Sequence, residues 1–275
     1  MRNSFQLSGS RCVVTGSGDG LGRAIAIELA KRGCRVLVSD IDEEGARATA
    51  SMILANGAEA VAQRADVRDQ TQIAHLAETA DQLWGGVDVV VNNAGVAVAG
   101  PFEAIPLEQW KYQLEVNFYG VLYGCHTFLP RLLRNPQGGL ILNVASMAGW
   151  LSPPGLGPYN VSKAAVIALS ETLYAELRHR RIHVSVLCPT FLRTNIHERV
   201  RAFDAASKQR ARQLVTKARW SAEEVASYAI DRAIRGQLYI VPQLDAKLLW
   251  QAKRLTGATL HRVLGKIAVR LNATQ

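Results

Sequence analysis

Tyr159 and Lys163 lie four residues apart, in the segment Tyr159-Asn160-Val161-Ser162-Lys163. On a helix, residues at this spacing share one face, so the phenol and the ammonium would lie side by side. A free tyrosine has a pKa near ~10, and a neighbouring positive charge favours its phenolate form. The pattern predicts a pair that exchanges a proton with a substrate oxygen near neutral pH.

A glycine-rich loop is the second feature with chemical meaning. It reads Thr15-Gly16-Ser17-Gly18-Asp19-Gly20-Leu21-Gly22, and it joins an apolar strand to a helical segment. Gly16 permits a tight turn, Gly20 lets the backbone approach a pyrophosphate, and Gly22 lets the helix pack closely on the sheet. Because the N-terminus of that helix attracts negative charge, the loop predicts a dinucleotide site.

Asp40 ends the second predicted strand, about 20 residues beyond the loop, where dinucleotide-binding proteins carry an acid. A carboxylate there accepts hydrogen bonds from the adenosine ribose hydroxyls and repels a 2′-phosphate. No basic residue replaces Asp19 in the loop or Ile41 after the acid. The pattern therefore favours NAD, with NADP as the less favoured alternative.

Short β-branched runs alternate with segments of helical period along the chain. Strands are predicted at 11–15, 35–39, 60–65, 87–91, 140–144, 183–187 and 238–241, and helices at 21–31 and 70–83 among others. This alternation is typical of an α/β fold, a doubly wound parallel sheet with helices on both faces. We divide the chain into a domain at 1–245 and a C-terminal extension at 246–275.

Taken together, the motifs resemble those of the short-chain dehydrogenase/reductase (SDR) family. Besides the glycine loop and Tyr-x-x-x-Lys, they comprise Asn92-Asn93-Ala94-Gly95 after the fourth strand, Asn117 and Ser146. The resemblance covers about residues 8–242. It implies a single Rossmann-type domain with a seven-stranded parallel sheet, and an oxidoreductase that moves hydride between nicotinamide and a substrate CH–OH group.

The resemblance also implies four catalytic residues. Tyr159 is expected to be the general acid/base, and Ser146 to hydrogen-bond the substrate oxygen. Lys163 is expected to hold the nicotinamide ribose and to lower the pKa of the tyrosine. Asn117 is expected to support a water that connects Lys163 to solvent.

Cofactor contacts are implied by the same resemblance. Asp66 is expected to face the adenine, and Thr194 to contact the carboxamide. One departure concerns this region, because the chain reads Pro189-Thr190 where the family usually has Pro-Gly. The expected cofactor-binding residues are Gly16, Ser17, Asp19, Gly20, Leu21, Gly22, Asp40, Ile41, Asp66, Val67, Asn93, Ala94, Gly95, Tyr159, Lys163, Pro189 and Thr194.

The substrate side of the predicted site is apolar. The loop at 147–158 contains no charged residue, and 96–98 is apolar as well. An apolar wall favours a hydrophobic or aromatic secondary alcohol or ketone, whereas a sugar would need several polar partners. The expected substrate-binding residues are Val96, Met147, Trp150, Leu156 and Phe191.

The net charge of +9 is concentrated in two segments. Residues 246–275 contain six basic residues and no acid, with Leu260, Val263, Leu264, Ile267 and Leu271 at helical spacing. Such a basic amphipathic helix lies on an anionic membrane surface, packs on a partner subunit or covers the substrate entrance. Residues 195–219 correspond to a mobile substrate lid in similar proteins, and their positive charge suits either a solvated face or an anionic acyl carrier.

Composition and cysteine spacing exclude several classes of protein. No apolar run approaches the ~20 residues that span a bilayer. Cys12, Cys34, Cys125 and Cys188 are dispersed, so we expect no metal site, no disulfide framework and a cytoplasmic location, with peripheral membrane contact as a variant. No nucleic-acid motif accompanies the basic segments.

An NAD-dependent oxidoreductase is the leading interpretation. A 3-oxoacyl-thioester reductase and a non-catalytic nucleotide-sensing or membrane-associated protein are the alternatives. The resemblance further implies a homodimer or homotetramer, assembled through the helices that contain Asn117 and Tyr159, and a small hydrophobic substrate.

Overall fold

The computed structural model describes residues 4–193, 200–204 and 218–273, together with the single residues 209, 213 and 216. Within these residues, seven parallel strands form one sheet in the order β3-β2-β1-β4-β6-β7-β9, and β5 pairs with β8 in a separate two-stranded ladder. The strands are β1 Arg11–Thr15, β2 Arg35–Asp40, β3 Ala60–Arg64, β4 Val89–Asn92, β5 Val98–Ala99, β6 Gly139–Val144, β7 Ile182–Leu187, β8 Arg201–Ala202 and β9 Tyr239–Ile240.

Helices cover both faces of the sheet. A 3-10 turn lies at Phe102–Ala104, and a π-helical turn at Glu115–Tyr119 joins α4 to α5. The helices are α1 Gly20–Lys31, α2 Glu43–Ala55, α3 Gln70–Trp84, α4 Leu107–Leu114, α5 Gly120–Arg134, α6 Ala148–Leu151, α7 Gly157–Glu176, α8 Ala222–Ala233, α9 Leu244–Thr256 and α10 Ala258–Ala273.

Alternation along β1 shows why the sheet needs a cover on each side. Cys12 and Val14 belong to one hydrophobic layer and Val13 to the other, and all three side chains are fully buried. Successive side chains of a strand point to opposite faces, so a strand that is apolar on both faces must lie between two layers of helices. The predicted Rossmann-type α/β fold with its seven-stranded parallel sheet is confirmed.

The order of the strands reverses between β1 and β4, which are neighbours in the sheet but not in the chain. Crossovers run in one direction from β1 to β3 and in the other from β4 to β9. In doubly wound sheets, ligands bind beyond the carboxyl ends of the strands at such a reversal. The glycine loop after β1 and the 92–95 motif after β4 both lie at this point of the fold.

The first helix of the C-terminal extension packs against the domain. This helix, α9, begins at Leu244, so the predicted boundary at 246 falls inside its first turn. Ala246 is fully buried in one of the two hydrophobic layers. Among the residues that the structure describes, no helix combines the length and the apolar character needed to cross a bilayer.

Candidate active site

Three of the four predicted catalytic side chains converge at the carboxyl end of β6. Tyr159 and Lys163 lie near the start of α7, with the Lys163 Nζ atom 5.8 Å from the centroid of the tyrosine ring. Ser146 follows β6 directly, and its hydroxyl forms a side-chain hydrogen bond with Tyr159. The arrangement places a phenol, a hydroxyl and an ammonium around one small volume.

Lys163 is only 3% exposed. Its Nζ atom donates a hydrogen bond to the Val144 carbonyl at 2.8 Å. Burial disfavours the charged form and lowers the pKa of Lys163 to about 8. A Cβ atom built on Gly95 would lie 3.5 Å from this Nζ and 3.4 Å from the Asn117 Oδ1, in ordinary van der Waals contact with both, so Gly95 lies directly beside the two groups.

Burial of Tyr159 acts on its pKa in the opposite direction to the effect expected of Lys163. Burial raises the pKa of Tyr159 above its ordinary value, and the hydrogen bond with Ser146 opposes that increase. The physical reason is that a buried phenolate loses its hydration, which disfavours the charged form. The protein without its ligands therefore holds the tyrosine in its neutral, proton-donating form.

Asn117 lies in the π-helical turn and is fully buried. Its Oδ1 accepts a hydrogen bond from the Val96 amide at 2.8 Å, and its Nδ2 donates to the Val96 carbonyl at 3.0 Å and to the Ser162 Oγ at 3.2 Å. Single π turns are frequent at functional sites because they redirect side chains that an α-helix would space regularly. Here the turn fixes Asn117 between the loop after β4 and the helix of Tyr159.

The Ser146 hydroxyl is held by the segment that follows β7. It donates to the Pro189 carbonyl at 3.3 Å and accepts from the Ala148 amide at 3.1 Å. The Met147 amide donates to the same Pro189 carbonyl at 3.0 Å. Pro189, a predicted cofactor residue, therefore also orients the predicted catalytic serine.

The glycine loop has the close contacts that its sequence predicted. Gly16 and Gly20 have positive φ angles of 62° and 55°. A Cβ atom on Gly22 would lie 2.0 Å from the Gly16 carbonyl oxygen and 2.4 Å from the Asn93 Nδ2, which donates to that carbonyl at 2.8 Å. Loop, helix and Asn93 therefore fit only without a side chain at 22. Asp19 and Leu21 are partly exposed at the start of α1.

Asp40 joins the end of β2 to the glycine loop. It is 7% exposed, and its carboxylate accepts hydrogen bonds from the Gly18 amide at 2.8 Å and the Asp42 amide at 3.0 Å. Ile41 is 52% exposed beside it. The Ser17 hydroxyl is buried and donates to a β1 carbonyl at 2.8 Å, so Ser17 has only its backbone to offer a ligand in the loop.

Asp66 forms an ion pair with Arg68, a residue that was not among the predicted site residues. Its carboxylate pairs with the Arg68 guanidinium at 2.5 Å, and this interaction lowers the pKa of Asp66. Val67 is buried against Gly120, where a Cβ atom would lie 2.8 Å from the valine Cγ2. Ala94 lies under Gly16, whose Cβ position is 2.5 Å from the Ala94 Cα.

The predicted substrate residues divide into two groups. Met147 is 2% exposed in a hydrophobic layer, whereas Trp150 is partly exposed and has one face of its indole stacked on Trp250 of α9. Leu156 is partly exposed and Phe191 is 43% exposed, which leaves both available to a ligand. The backbone of Val96 is held by Asn117. Thr194 lies outside the described residues, as does most of the predicted lid.

Three buried side chains support the site without having been predicted. The Thr15 hydroxyl accepts from the Ala94 amide at 3.3 Å, and the Ser162 hydroxyl donates to the Tyr159 carbonyl at 2.9 Å. Gln113 bonds the backbone on both sides of residue 97, accepting from the Val98 amide at 2.8 Å. Thr15 lies in the glycine loop and Ser162 in the segment from Tyr159 to Lys163, so their positions in these motifs could have identified them. Nothing in the sequence distinguishes Gln113 from other polar residues of a helix.

These residues fit a nicotinamide dinucleotide. The first turn of α1 carries no acidic residue, so its N-terminal amides keep their attraction for phosphate. Asp40 stands where ribose hydroxyls would donate hydrogen bonds. In the described part of the chain, no group of three or more His, Cys, Asp or Glu side chains is arranged to hold a metal ion.

Known proteins share this sequence pattern. The family model described as short chain dehydrogenase matches residues 10–205. A curated relative from Mycobacterium tuberculosis, the probable oxidoreductase EphD, is 40% identical over 183 residues. The matched segment covers 66% of this chain and 31% of EphD, so the chain matches about a third of that relative's length.

Solved structures share the fold. A short-chain dehydrogenase/reductase from Burkholderia phymatum in complex with NAD is 33% identical, with a TM-score of 0.86 over 91% of this chain and 94% of that one. A putative NAD(P)-dependent gluconate 5-dehydrogenase from Beutenbergia cavernae, with NADP bound at low occupancy, is 29% identical, with a TM-score of 0.76 over 88% and 98%. The chain therefore belongs to the short-chain dehydrogenase family.

Proposed function

We propose that the protein is an NAD-dependent oxidoreductase that acts on a hydrophobic or aromatic secondary alcohol or ketone, with Tyr159 as the general acid/base. The convergence of Tyr159, Ser146 and Lys163 at the end of β6 carries this proposal. A non-catalytic nucleotide sensor would have no need of a desolvated phenol hydrogen-bonded to a serine. The catalytic geometry therefore favours an enzyme over that alternative.

Each of these side chains has a separate task in the proposed reaction. The Ser146 hydroxyl, held by Pro189, hydrogen-bonds the substrate oxygen. The Tyr159 phenol donates its proton to that oxygen when a ketone is reduced and accepts it back when an alcohol is oxidised. The Lys163 ammonium stabilises the phenolate formed on donation. The nicotinamide, when bound, supplies the hydride acceptor or donor at its C4 carbon.

NAD is the proposed cofactor because of Asp40. Its carboxylate is buried and anchored by two backbone amides, so it cannot swing away from a ligand in the loop. A fixed negative charge there repels the 2′-phosphate of NADP. One structural neighbour has NAD bound and another NADP, so the comparison of the two cofactors belongs in the first assay.

The proposed substrate class rests on the walls of the site. No charged side chain lies in 147–158. Leu156 of this loop and Phe191 of the segment after β7, two predicted substrate residues that a ligand can reach, are both apolar. A polyol such as gluconate would leave its hydroxyls without partners on these walls. A 3-oxoacyl thioester is the other candidate, and its support is the basic segment 195–219, most of which lies outside the described residues.

Assembly and location complete the proposal. We place the protein in the cytoplasm, since the cysteines Cys12, Cys34, Cys125 and Cys188 are all free and buried. We expect a homodimer or homotetramer in which the helical segments that contain Asn117 and Tyr159 meet a second copy. Tyr119, in the π turn of Asn117, and Val161, in α7, expose 43% and 48% of their surface there. Contact with a membrane surface through 246–275 is a further proposal, supported by exposed leucines of α9.

The formation or loss of NADH absorbance tests the proposed function. The panel contains apolar and aromatic secondary alcohols, steroids, 3-hydroxyacyl thioesters and polyols, each with NAD and with NADP. We expect turnover of apolar alcohols with NAD. Tyr159→Phe should lower kcat/KM by about 10²–10⁴-fold while NAD binding persists.

The matched control is Tyr174→Phe, a tyrosine further along α7 that is also partly buried. Its activity should equal that of the unmodified protein. Turnover confined to thioesters or polyols would overturn the substrate class. Turnover that survives in Tyr159→Phe would overturn the catalytic assignment, and a preference for NADP would overturn the role of Asp40.

A further inference from the structure

Helix α9, outside the segment that matches the family, lies against the loop between Ser146 and Tyr159. The indole of Trp250 stacks on that of Trp150, with ring centroids 4.3 Å apart and planes 10° from parallel. Lys253 donates a hydrogen bond from Nζ to the Trp150 carbonyl. The side chain and the backbone of Trp150 are thus both held by one helix.

A third aromatic ring extends this contact to the catalytic helix. Tyr239 packs edge-on against Trp150 at 5.4 Å and against Trp250 at 5.2 Å. Its hydroxyl donates to Glu171 Oε1 of α7 at 2.7 Å. Burial and the neighbouring Glu171 carboxylate raise the pKa of Tyr239 to about 12, so it stays a donor at neutral pH. The three rings, here called the aromatic cluster, connect the loop, β9, α9 and α7.

Gln243, the residue before α9, holds the segment after β7 that contains Pro189 and Thr190. It is 5% exposed, and its Oε1 accepts a hydrogen bond from the Thr190 amide at 3.2 Å. The preceding residue, Pro189, accepts the hydrogen bond of the Ser146 hydroxyl. A short chain of contacts therefore runs from Gln243 through 189–190 to Ser146. It passes through Thr190, at the position where the family usually has glycine.

Packing alone does not explain an amide at 243. Its Nε2 atom is buried and has no hydrogen-bond partner among the described residues. A buried donor without a partner costs about 1–3 kcal/mol, a cost that an apolar side chain of the same shape would not carry. What the amide supplies, and an apolar isostere does not, is the hydrogen bond that fixes Thr190.

We propose that α9 forms part of the catalytic site, with Gln243 and Trp250 as positioning residues. Gln243 orients Ser146 by holding 189–190, and Trp250 fixes the apolar loop 147–156 through the aromatic cluster. The C-terminal extension therefore takes part in choosing the substrate, although it lies beyond the residues matched by the family model. The kinetic part of this proposal rests on the proposed function.

Three single variants test it in the full-length protein. Gln243→Met keeps the volume and removes the hydrogen bond, Trp250→Ala removes the stack, and Gln251→Met alters an exposed glutamine of α9 as the control. We expect Gln243→Met to lower kcat about tenfold, and Trp250→Ala to raise KM for the alcohol about tenfold, with KM for NAD unchanged. A purely structural role would lower thermal stability and leave both kinetic constants, per active site, equal to those of Gln251→Met.

Hydrogen–deuterium exchange gives a readout that needs no turnover. Gln243→Met should speed exchange in 189–193, and Trp250→Ala in 147–156, while Gln251→Met changes neither. Unchanged exchange in both loops overturns the proposal whatever the activity. An unmodified protein without activity on any substrate would overturn the proposed function instead, and the exchange data would still decide the role of α9.

Discussion

Two desolvated groups share the centre of the candidate site, and burial acts on them in opposite senses. It raises the pKa of Tyr159 and lowers that of Lys163 to about 8. Both shifts move towards the neutral forms, but with a pKa of about 8 Lys163 is still mostly an ammonium at neutral pH, beside a protonated phenol. A site whose phenol is protonated before its ligands arrive is set to donate a proton to a ketone at neutral pH, and alcohol oxidation should gain as the pH rises.

The Lys163 environment has a measurable consequence for stability. A lysine whose pKa is lower in the folded state binds its proton more tightly when unfolded, so the folded state gains stability as the pH rises from about 8 towards 10.5. Lys163→Met removes this gain. Between pH 7 and pH ~9.5, the free energy of unfolding of the unmodified protein should rise by about 2 kcal/mol relative to that of the variant. Urea denaturation at the two pH values measures the difference.

Taking this as a difference cancels the contribution of the buried thiols, whose raised pKa values lower stability at alkaline pH in both proteins. Lys111→Met, on the exposed surface of α4, is the control for losing one lysine. A difference between the unmodified protein and Lys163→Met that stays constant with pH would show that Lys163 is not desolvated.

At this scale, spacing predicted which side chains meet but not how the surroundings act on them. The four-residue interval placed Tyr159 beside Lys163. The effect of burial on the tyrosine pKa was not predicted, because burial is a property of the whole fold and a motif does not encode it. Gln243 was missed for a similar reason, since its partner Thr190 lies 53 residues away in the chain.

Among the elements, the join between β1 and α1 imposes the strictest geometry. A Cβ atom on Gly22 would lie 2.0 Å from the carbonyl oxygen of Gly16 and 2.8 Å from its carbonyl carbon. These are backbone atoms, which cannot rotate away as a side chain can. Close packing of backbone on backbone is what brings the helix N-terminus to the edge of the sheet. The spacing of the glycines in the sequence is enough to indicate this close packing, so the tight turn at Gly16 and the close approach at Gly22 could be predicted.

Gly22→Ala should therefore damage cofactor binding more than it damages the fold. The added methyl forces the loop away from α1 by about an ångström, and overpacking of this kind costs about 1–3 kcal/mol of stability. NAD affinity should fall at least about tenfold, since 1.4 kcal/mol is lost for each factor of ten. Calorimetric titration of NAD, with thermal unfolding in parallel, measures both effects.

Gly265→Ala is the matched control. Gly265 lies in α10, where an added Cβ meets nothing within 4 Å, so alanine should leave NAD binding unchanged and stabilise the helix by up to about 1 kcal/mol. Equal NAD affinity in Gly22→Ala and in the unmodified protein would contradict the close fit of the loop.

Elements without a local signature were less predictable. The π turn at Glu115–Tyr119 depends on where Asn117 finds its buried partners, Val96 and Ser162, and hydrophobic periodicity gives no sign of it. The strands were predictable because both layers bury apolar side chains. The contact of α9 with α6 was left among three alternatives, since an amphipathic stripe shows that a face is covered but not by what.

For the whole molecule, the sheet and the extension together decide which surfaces remain open. The inner face of α9, with Ala246 and Trp250, packs on the domain. The outer face exposes Leu244, Leu248 and Leu255 by 70%, 63% and 88%. At about 100° per residue these three leucines lie within about 40° of one another around the helix, so they form a single stripe.

Charge favours a lipid surface as the occupant of this leucine stripe. Residues 246–275 contain six basic residues and no acid, and a second copy would meet the same positive charge. Lys247 and Lys253 are bonded within the protein, but Arg262 and Lys266 of α10 are exposed. An apolar stripe in a segment with six basic residues and no acid suits the interface of a bilayer with anionic lipid. An apolar substrate would concentrate in the same layer.

We therefore expect the protein to co-sediment with vesicles that contain phosphatidylglycerol, to bind pure phosphatidylcholine weakly, and to dissociate as salt is added. Replacing Leu244, Leu248 and Leu255 together by serine should lower vesicle binding by at least about tenfold, because fully burying one leucine already contributes about 1.5–3 kcal/mol. The control replaces three exposed leucines elsewhere, Leu54, Leu83 and Leu107. If the α9 variant instead changes the sedimentation coefficient and leaves vesicle binding intact, the stripe is covered by a second copy and the lipid surface is wrong.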